Sequence, residues 1–512
     1  MEFFKFKMFR KKPVKKERTQ KRPLKIKTSG TDFETKLERQ LGNRPSRLDG
    51  DFQETVITGS INRAIRSGLQ QLQNESRTLA VNTPHGKRAA QYQSDNVVGK
   101  TGINPQPQII RADGSTDIEL NLKIKSAFEA WATRGRRFAL DRSFGWREFQ
   151  EVIERARFVD GESFIRLHEE DTLRIEVIES ERVDVTHQFD TPETYCYMGI
   201  EYSKKSNAPV RYWIKKINYL TQTANGELEG VDADDVIHYY RKFFPNQMRG
   251  IPEATSALTT LIQYEAFKTY TLVQKKAAAS TMGFITEDKD SQEQLDLNNL
   301  NGDDEEEPEE IVQELQAGVI QKLPQGHDIK QLTSTQGGDD FISFTDRLEN
   351  HIAMGFGFFE QGYRGDTSSI NYSSARFGDQ SQRVMFSNVQ RLMQERVLDV
   401  IYERWLQSAV LNDEIPISMT MVSFVLNSTD WSYPRWDSID PKKEIETDVL
   451  KIENGLVSRK SVISSYGEDP SVVMAEVESE KDLHVPKQQA KVEVAEAPAL
   501  AAAEGTETES TE

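Results

Sequence analysis

The sequence holds a single cysteine, Cys196, and few of the features that build covalent or metal frameworks. One thiol excludes an intrachain disulfide and a zinc site made of cysteines, and it favours synthesis in a reducing cytoplasm. No apolar run reaches the roughly 18 residues of a membrane-spanning helix. The N-terminal residues also lack the apolar stretch of about 7 to 15 residues that a secretory signal needs. We therefore expect a protein without a membrane span.

Motifs of catalysis and cofactor binding are missing as well. Gly99-Lys100-Thr101 resembles the end of a phosphate-binding loop, but Ser94 stands where that loop requires its first glycine. The seven histidines form no HExxH motif, and no G-x-S-x-G nucleophile elbow occurs. The acidic run 287–310 lacks the glycine spacing of an EF-hand. The sequence therefore predicts no enzyme, no metal site and no cofactor.

Charge is plentiful but unevenly distributed along the 512 residues. Lys and Arg number 65 and Asp and Glu 82, so the net charge is −17. Residues 1–30 hold twelve bases and two acids, whereas residues 287–310 hold twelve acids and one base. Segments of such biased composition cannot bury a core. We expect a disordered basic arm over 1–30, a flexible acidic insertion over 287–310 and a disordered acidic tail over 485–512.

Hydrophobic periodicity divides the remaining chain into helical and strand-rich parts. Residues 31–160 place apolar side chains at helical spacing. Residues 161–245 instead alternate apolar and polar positions, as in Leu173-Arg174-Ile175-Glu176-Val177 and Val210-Arg211-Tyr212-Trp213-Ile214, and turn residues separate these runs. The pattern predicts an α+β fold with a small β-rich subdomain.

Helical spacing returns after residue 250. Pro252 suits the first turn of a helix that runs to about Ala279. A second helix is marked by Phe341, Phe344, Leu348 and Ile352. Between them, residues 311–335 form a short compact unit around a Pro-Gln-Gly turn.

The C-terminal third begins with a glycine-rich stretch. Residues 358–372 are predicted to be a loop, and a long helix begins near Ser373 and continues to about Leu406. Met419–Met421 suggests a strand, and short helices follow between Asp440 and about Asp482.

Three stretches together carry a family resemblance. They are RKFFPNQMRGIPEATSALTTL over 241–261, NYSSAR over 371–376 and WDSIDPKKE over 436–444. Each is weak alone, but their order and spacing, with Arg155 and Gly161-Glu162 upstream, form a specific set. The set resembles the lambda-like family of bacteriophage portal proteins over about residues 60 to 480.

The resemblance implies a dodecameric ring at one capsid vertex, with mainly helical wing, stem and crown parts, a small β-rich wing subdomain and a small α/β clip. Such a protein is part of the virion and assembles in the host cytoplasm. Its implied partners are double-stranded DNA in a central tunnel, a terminase motor, a head–tail adaptor and the major capsid or scaffold protein. Carried onto this chain, the parts are the wing over 31–245 and 373–435, the stem helices over 246–286 and 336–357, the clip over 311–335, the tunnel loop over 358–372 and the crown over 436–484.

Candidate DNA-facing residues follow from this placement: Arg364 as the one base of the tunnel loop, with Asn371 and Arg376 at the start of the long helix. Arg249 with Gly250 and Pro252 favours a structural turn, and an inter-subunit ion pair by Arg249 is the alternative. Two other functions stay open. One is a capsid or head-completion protein, and the other is a DNA-processing enzyme, which the missing phosphate-binding loop argues against.

Overall fold

A computed structural model describes the chain over the ranges 60–218, 220–221, 223–280, 284–287, 327–330, 338–366, 372–436, 440–468 and 470–480. The predictions for the arm 1–30, for nearly all of the insertion 287–310, for most of the unit 311–335, for Asn371 and for the tail 485–512 lie outside these residues. The chain divides into two compact units, Met1–Gly68 and Leu69–Glu512. In the first unit the described residues, 60–68, are the start of a helix.

The N-terminal part is helical, as its periodicity predicts. Thr83 caps the second helix, because its side-chain oxygen accepts a hydrogen bond from the Gly86 N–H and Pro84 occupies the first helical position. Asp117 caps the third in the same way. The elements in order are α1 (Ile61–Asn82), α2 (Pro84–Val98), β1 (Asn104–Pro107), α3 (Ile118–Ala132), α4 (Gly135–Phe138) and α5 (Trp146–Asp160).

Two antiparallel sheets follow, and they confirm the predicted β-rich subdomain. One sheet has three strands in the order β3-β2-β9, and the other has five in the order β4-β5-β6-β7-β8. Apolar side chains from both sheets share one core, in which Phe164 of the first contacts Tyr212 of the second. The strands are β2 (Glu162–Glu169), β3 (Leu173–Ile178), β4 (Phe189–Asp190), β5 (Thr194–Tyr197), β6 (Ile200–Ser203), β7 (Pro209–Asn218), β8 (Thr223–Asp232) and β9 (Val236–Tyr240).

The next elements include the two helices predicted after residue 250. A turn of 3-10 helix, Glu253–Ser256, precedes the first of them. The short strands at 284–287 and 327–330 pair antiparallel. Residues 327–330 are the part of the predicted clip, 311–335, that the structure describes. The strand at 284–287 lies where the sequence predicted the end of the first stem helix and the start of the insertion, so the helix ends earlier than predicted, at Ser280. The elements are α6 (Leu258–Ser280), β10 (Phe284–Glu287), β11 (His327–Lys330), α7 (Gly338–Phe356) and α8 (Glu360–Arg364).

Helix α8 corrects the loop prediction for 358–372. Gly362 within it and Gly365 at its C-terminal end lowered the helical signal, but Tyr363 is buried and its hydroxyl donates to the His85 carbonyl oxygen at 2.8 Å. This tertiary contact holds the short helix in place against its weak local propensity.

The C-terminal part contains the predicted long helix in two segments. A π-helical turn, Gln394–Leu398, separates them. Met419–Met421 is a 3-10 turn that leads into a helix, so the predicted strand is wrong; both methionines are exposed, so no buried strand face selects the extended conformation. The elements are α9 (Tyr372–Met393), α10 (Asp399–Leu411), α11 (Val422–Asn427), β12 (Thr429–Ser432), α12 (Pro441–Glu453), α13 (Arg459–Ser465) and α14 (Pro470–Glu480).

The long helix supplies much of the main core. Trp405 and Tyr402 of α10 contact the ring of Phe128 from α3, at 5.0 and 5.6 Å between ring centroids. Strand β12 pairs with β1, so residues more than 300 positions apart close the same core. At α12, Asp440 accepts a hydrogen bond from the Lys443 N–H and Pro441 is the first helical residue, so Asp440 caps this helix.

Candidate functional site

A buried ion pair lies where the β-rich subdomain meets the start of the α6 segment. The Arg249 guanidinium and the Glu162 carboxylate are both fully buried, and they approach to 2.6 Å. Arg249 also donates to the carbonyl oxygens of Val183 and Met198, at 3.1 and 2.7 Å. These bonds satisfy the guanidinium within its own chain, as a buried charge requires.

His238 completes the partners of Glu162. Its Nε2 lies 2.9 Å from Glu162 Oε2, and the Gly250 N–H donates to the same oxygen. Burial would raise the pKa of Glu162, but the charge of Arg249 and the hydrogen bonds from His238 and Arg249 lower it well below its usual range. Burial lowers the pKa of His238 despite the opposing effect of Glu162. The neutral ring therefore donates its Nε2–H to the carboxylate.

A second buried network adjoins the first through α5. Arg157 pairs with Glu154 at 2.7 Å and with Glu253 at 2.7 Å, just beyond Pro252. The Tyr239 hydroxyl donates to Glu154 at 2.7 Å, and Gln93 of α2 donates to the same carboxylate at 2.8 Å. Burial raises the pKa of Tyr239 well above its usual range, as does the neighbouring Glu154 carboxylate, so the hydroxyl keeps its proton.

We name these two networks the buried polar joint. It joins α2, α5, the three-stranded sheet and the segment that leads into α6, and its members are Glu154, Arg157, Glu162, His238, Tyr239, Arg249 and Glu253.

Two glycines let the backbones cross at this joint. Gly161 ends α5 with φ of +86°, and a Cβ there would lie 2.3 Å from the Ile251 carbonyl carbon. A Cβ on Gly250 would lie 2.0 Å from the Gly161 oxygen. The structural prediction for Arg249-Gly250 is thus confirmed. The alternative, an inter-subunit ion pair by Arg249, is wrong because its guanidinium is enclosed by its own chain.

Helices α6 and α7 pack along each other and form the second feature of interest. Phe267 of α6 stacks on Phe341 and meets Phe344 edge-on, with centroids 5.6 and 5.2 Å apart. The Tyr264 hydroxyl donates to Glu349. The outer faces nevertheless carry large apolar side chains that the described chain leaves exposed; they are Tyr270, Leu272, Val273, Ile342, Phe344 and Met354.

The third feature is the segment predicted to face DNA. Arg364 forms ion pairs with Asp346, Glu349 and Glu360 at 2.8–2.9 Å, and its side chain is 19% exposed. Its charge is therefore compensated within the chain. Arg376 is exposed on α9. The third predicted residue, Asn371, is not described, so the structure does not bring the three together.

Sequence reasoning missed most of the buried polar joint. Glu162 and Arg249 belong to the stretches that carry the family resemblance, but they are 87 positions apart, so no local sequence pattern predicts their pairing. The pairing of Glu154 with Arg157 could have been predicted, because the two residues are three apart on the buried side of α5, between Ile153 and Phe158.

The described residues contain no group of three or more acidic, histidine or cysteine side chains that could hold a metal ion. No helix among them is long and apolar enough to cross a membrane.

Comparison with known proteins gives a consistent set of relatives. The sequence model of the family described as phage portal protein, lambda family, matches residues 53–390, about two thirds of the chain. The match ends before the stretch 436–444, so it does not support that third motif. A probable portal protein of Halomonas phage phiHAP-1 is 23% identical over 446 residues, which cover 85% of this chain and 84% of the relative. The portal protein of Escherichia phage N15 is 25% identical over 156 residues, or 29% of each chain.

Solved structures of gene transfer agent particles are also similar. A chain from the virion of the native particle aligns with a TM-score of 0.42 and 15% identity, covering 79% of this chain and 94% of its own. A chain from the neck of the empty particle aligns with a TM-score of 0.41 and 15% identity, covering 78% of this chain and 93% of its own.

Proposed function

Since the chain belongs to the lambda family of phage portal proteins, we propose that about twelve copies assemble into a ring at one vertex of a phage capsid. A portal protein is a structural part of the virion. In this proposal the ring is the channel through which double-stranded DNA is packaged and ejected. It is also the platform for the terminase motor and the head–tail adaptor, and it contacts the capsid or scaffold protein. The chain itself catalyses no reaction.

The observation that carries this proposal is the exposed apolar surface of the α6–α7 pair. Val273 is 58% exposed, Ile342 59% and Met354 73%, although all three lie on long helices. Apolar patches of this kind mark surfaces that another protein covers. A closed ring needs two different faces on each subunit, and two helices side by side offer them.

The proposal assigns parts of the chain to the ring. Helices α6 and α7 are the stem, and the β-rich subdomain with the helices that precede it is the wing. Strand β11 belongs to the clip and pairs with β10, which precedes it. Helices α12 to α14 form the crown. The segment 358–372 and the start of α9 face the channel.

Within the channel segment the three candidate residues take different roles. Arg364 is a clamp between α7 and α8, because three carboxylates compensate its charge. Asn371 stays a candidate for contact with DNA. Arg376 is exposed, so it is the better candidate for contacting the phosphates of DNA that moves through the channel. Arg376→Gln should lower the DNA content per particle, whereas Arg391→Gln, at an exposed arginine further along the same helix, should not. Equal DNA content in both would remove Arg376 from the channel.

Mass measurement and electron microscopy of the purified protein test the ring itself. We expect about twelve copies around a central hole. A chain that stays monomeric at every concentration would contradict the ring. A large non-ring shell would favour the capsid protein, and monomers with DNA-stimulated ATP hydrolysis would favour the enzyme.

A further inference from the structure

Four exposed arginines lie within nine residues between α3 and α5. They are Arg134, Arg136, Arg137 and Arg142. No hydrogen bond or ion pair to any of these guanidinium groups occurs within the described part of the chain. Elsewhere Arg77, Arg182 and Arg404 reach carboxylates at 2.7–3.1 Å. We name these four residues the arginine patch, and it is a local exception in a chain of net charge −17.

Buried side chains and a backbone hydrogen bond fix the backbone of the arginine patch. Phe138, at its centre, is fully buried, and its ring lies 4.9 Å from Trp131 and 5.3 Å from Phe149. The Leu140 N–H donates to the Ile175 carbonyl oxygen of β3 at 2.9 Å, which fixes the segment to the sheet. A fixed backbone lowers the entropy that a ligand must overcome on binding.

The only acid in the patch segment is already engaged. Asp141 accepts hydrogen bonds from the Ser143 N–H and hydroxyl, at 3.0 and 2.8 Å. Among the described residues, no carboxylate forms an ion pair with any of the four exposed guanidinium groups. Arginine forks match phosphate oxygens in a bidentate manner, and an array of them fits a ligand with regularly repeated negative charge.

The absence of exposed large apolar side chains around the arginine patch distinguishes between the possible classes of binding partner. No large apolar side chain among residues 133–145 is exposed. Protein interfaces are built around buried aromatic or aliphatic anchors, and single-stranded nucleic acid needs exposed rings for base stacking. A duplex needs neither, because its backbone presents one charge per about 1.7 Å of axis.

We propose that the arginine patch binds the phosphate backbone of double-stranded DNA without reading its sequence. The patch lies outside the stem, the segment 358–372 and α9, so this contact is additional to the channel. It goes beyond the proposed function, since a portal ring needs only the channel to transport DNA. The contact would hold duplex against the surface of the wing.

Salt-dependent binding tests the proposal on the full-length chain. Changing all four patch arginines to Gln should reduce the slope of log affinity against log salt by about 3 to 4, measured with a short duplex between about 50 and 200 mM salt. The matched control changes Arg63, Arg155, Arg396 and Arg459 to Gln, which removes the same charge from exposed, scattered positions. An equal loss in both variants would mean that net charge alone acts, and would overturn the proposal. Sizing of both variants reports ring formation separately.

The single buried cysteine permits a local test. Cys196 is 2% exposed, and burial raises its pKa to about 11, so it reacts poorly. In a Cys196→Ser background, a photo-crosslinker attached through Arg136→Cys should capture duplex DNA, and one attached through Arg459→Cys should not. Capture of a neighbouring subunit instead of DNA, with an unchanged salt slope in the four-residue variant, would identify the patch as a protein interface and refute the proposal.

Discussion

The buried polar joint and the α6–α7 pair are neighbours along the chain but are stabilised in opposite ways. At the joint each buried charge is paired within the same chain, Glu162 with Arg249 and Arg157 with Glu154. On the α6–α7 pair, apolar side chains such as Val273 stay exposed. The difference shows that the joint is complete within one chain, whereas the helix pair leaves an apolar surface exposed, which we propose another copy covers. Three experiments address this contrast, in order of their expected effect on the free energy of unfolding.

The largest effect should follow Glu162→Gln. This change leaves the buried Arg249 charge uncompensated, and breaking a buried pair in this way costs about 3 to 5 kcal/mol. The matched control is Glu229→Gln, because Glu229 also pairs with an arginine, Arg166, at 2.8 Å but is 42% exposed. That control should cost no more than about 1 kcal/mol. Urea unfolding at one protomer concentration measures both, and similar losses would refute the structural role of the joint.

A smaller effect should appear on acidification. The pKa of buried His238 is lowered from its ordinary 6.5, so the unfolded chain binds its proton first, and stability falls as the pH drops below about 6.5. The lowered pKa of Glu162 adds a further loss as the pH drops below about 4.5. In His238→Gln the first loss should disappear, which changes the slope by at most about 1.4 kcal/mol per pH unit. Parallel slopes of the variant and the wild type between pH 7 and 5 would show that His238 is not the group responsible.

The smallest effect on unfolding should follow Val273→Asp. The side chain is exposed on α6, so the free energy of unfolding of the isolated subunit should change by no more than about 0.5 kcal/mol. Ring assembly, however, should fail, because the carboxylate enters an apolar contact with the next copy. Leu220→Asp, at a 95% exposed position on the β7–β8 turn, should leave the ring intact. Intact rings in Val273→Asp would exclude this face of α6 from the subunit contact.

Local patterns explain why much of the fold could be predicted. The alternation at Leu173–Val177 marks a strand with one buried face, and the long stripe after Ser373 marks a buried helix. The cap at Asp440 needs only residues within one turn. Where local signals conflict with packing the prediction fails, as in α8, where the buried Tyr363 stabilises a helix that contains Gly362.

The sequence by itself determined the α+β class, the succession of the helical and strand-rich parts, the missing catalytic motifs and the family. Those depend on composition, on periodicity and on short motifs, which are properties of neighbouring residues. The tertiary structure alone decided that Arg249 is enclosed with Glu162, that Arg364 is compensated by three carboxylates, and that the arginine patch finds no carboxylate partner among the described residues. Each of these outcomes depends on which charges meet across tens or hundreds of positions, because the free energy of a charge depends on its burial and on the groups that surround it in space.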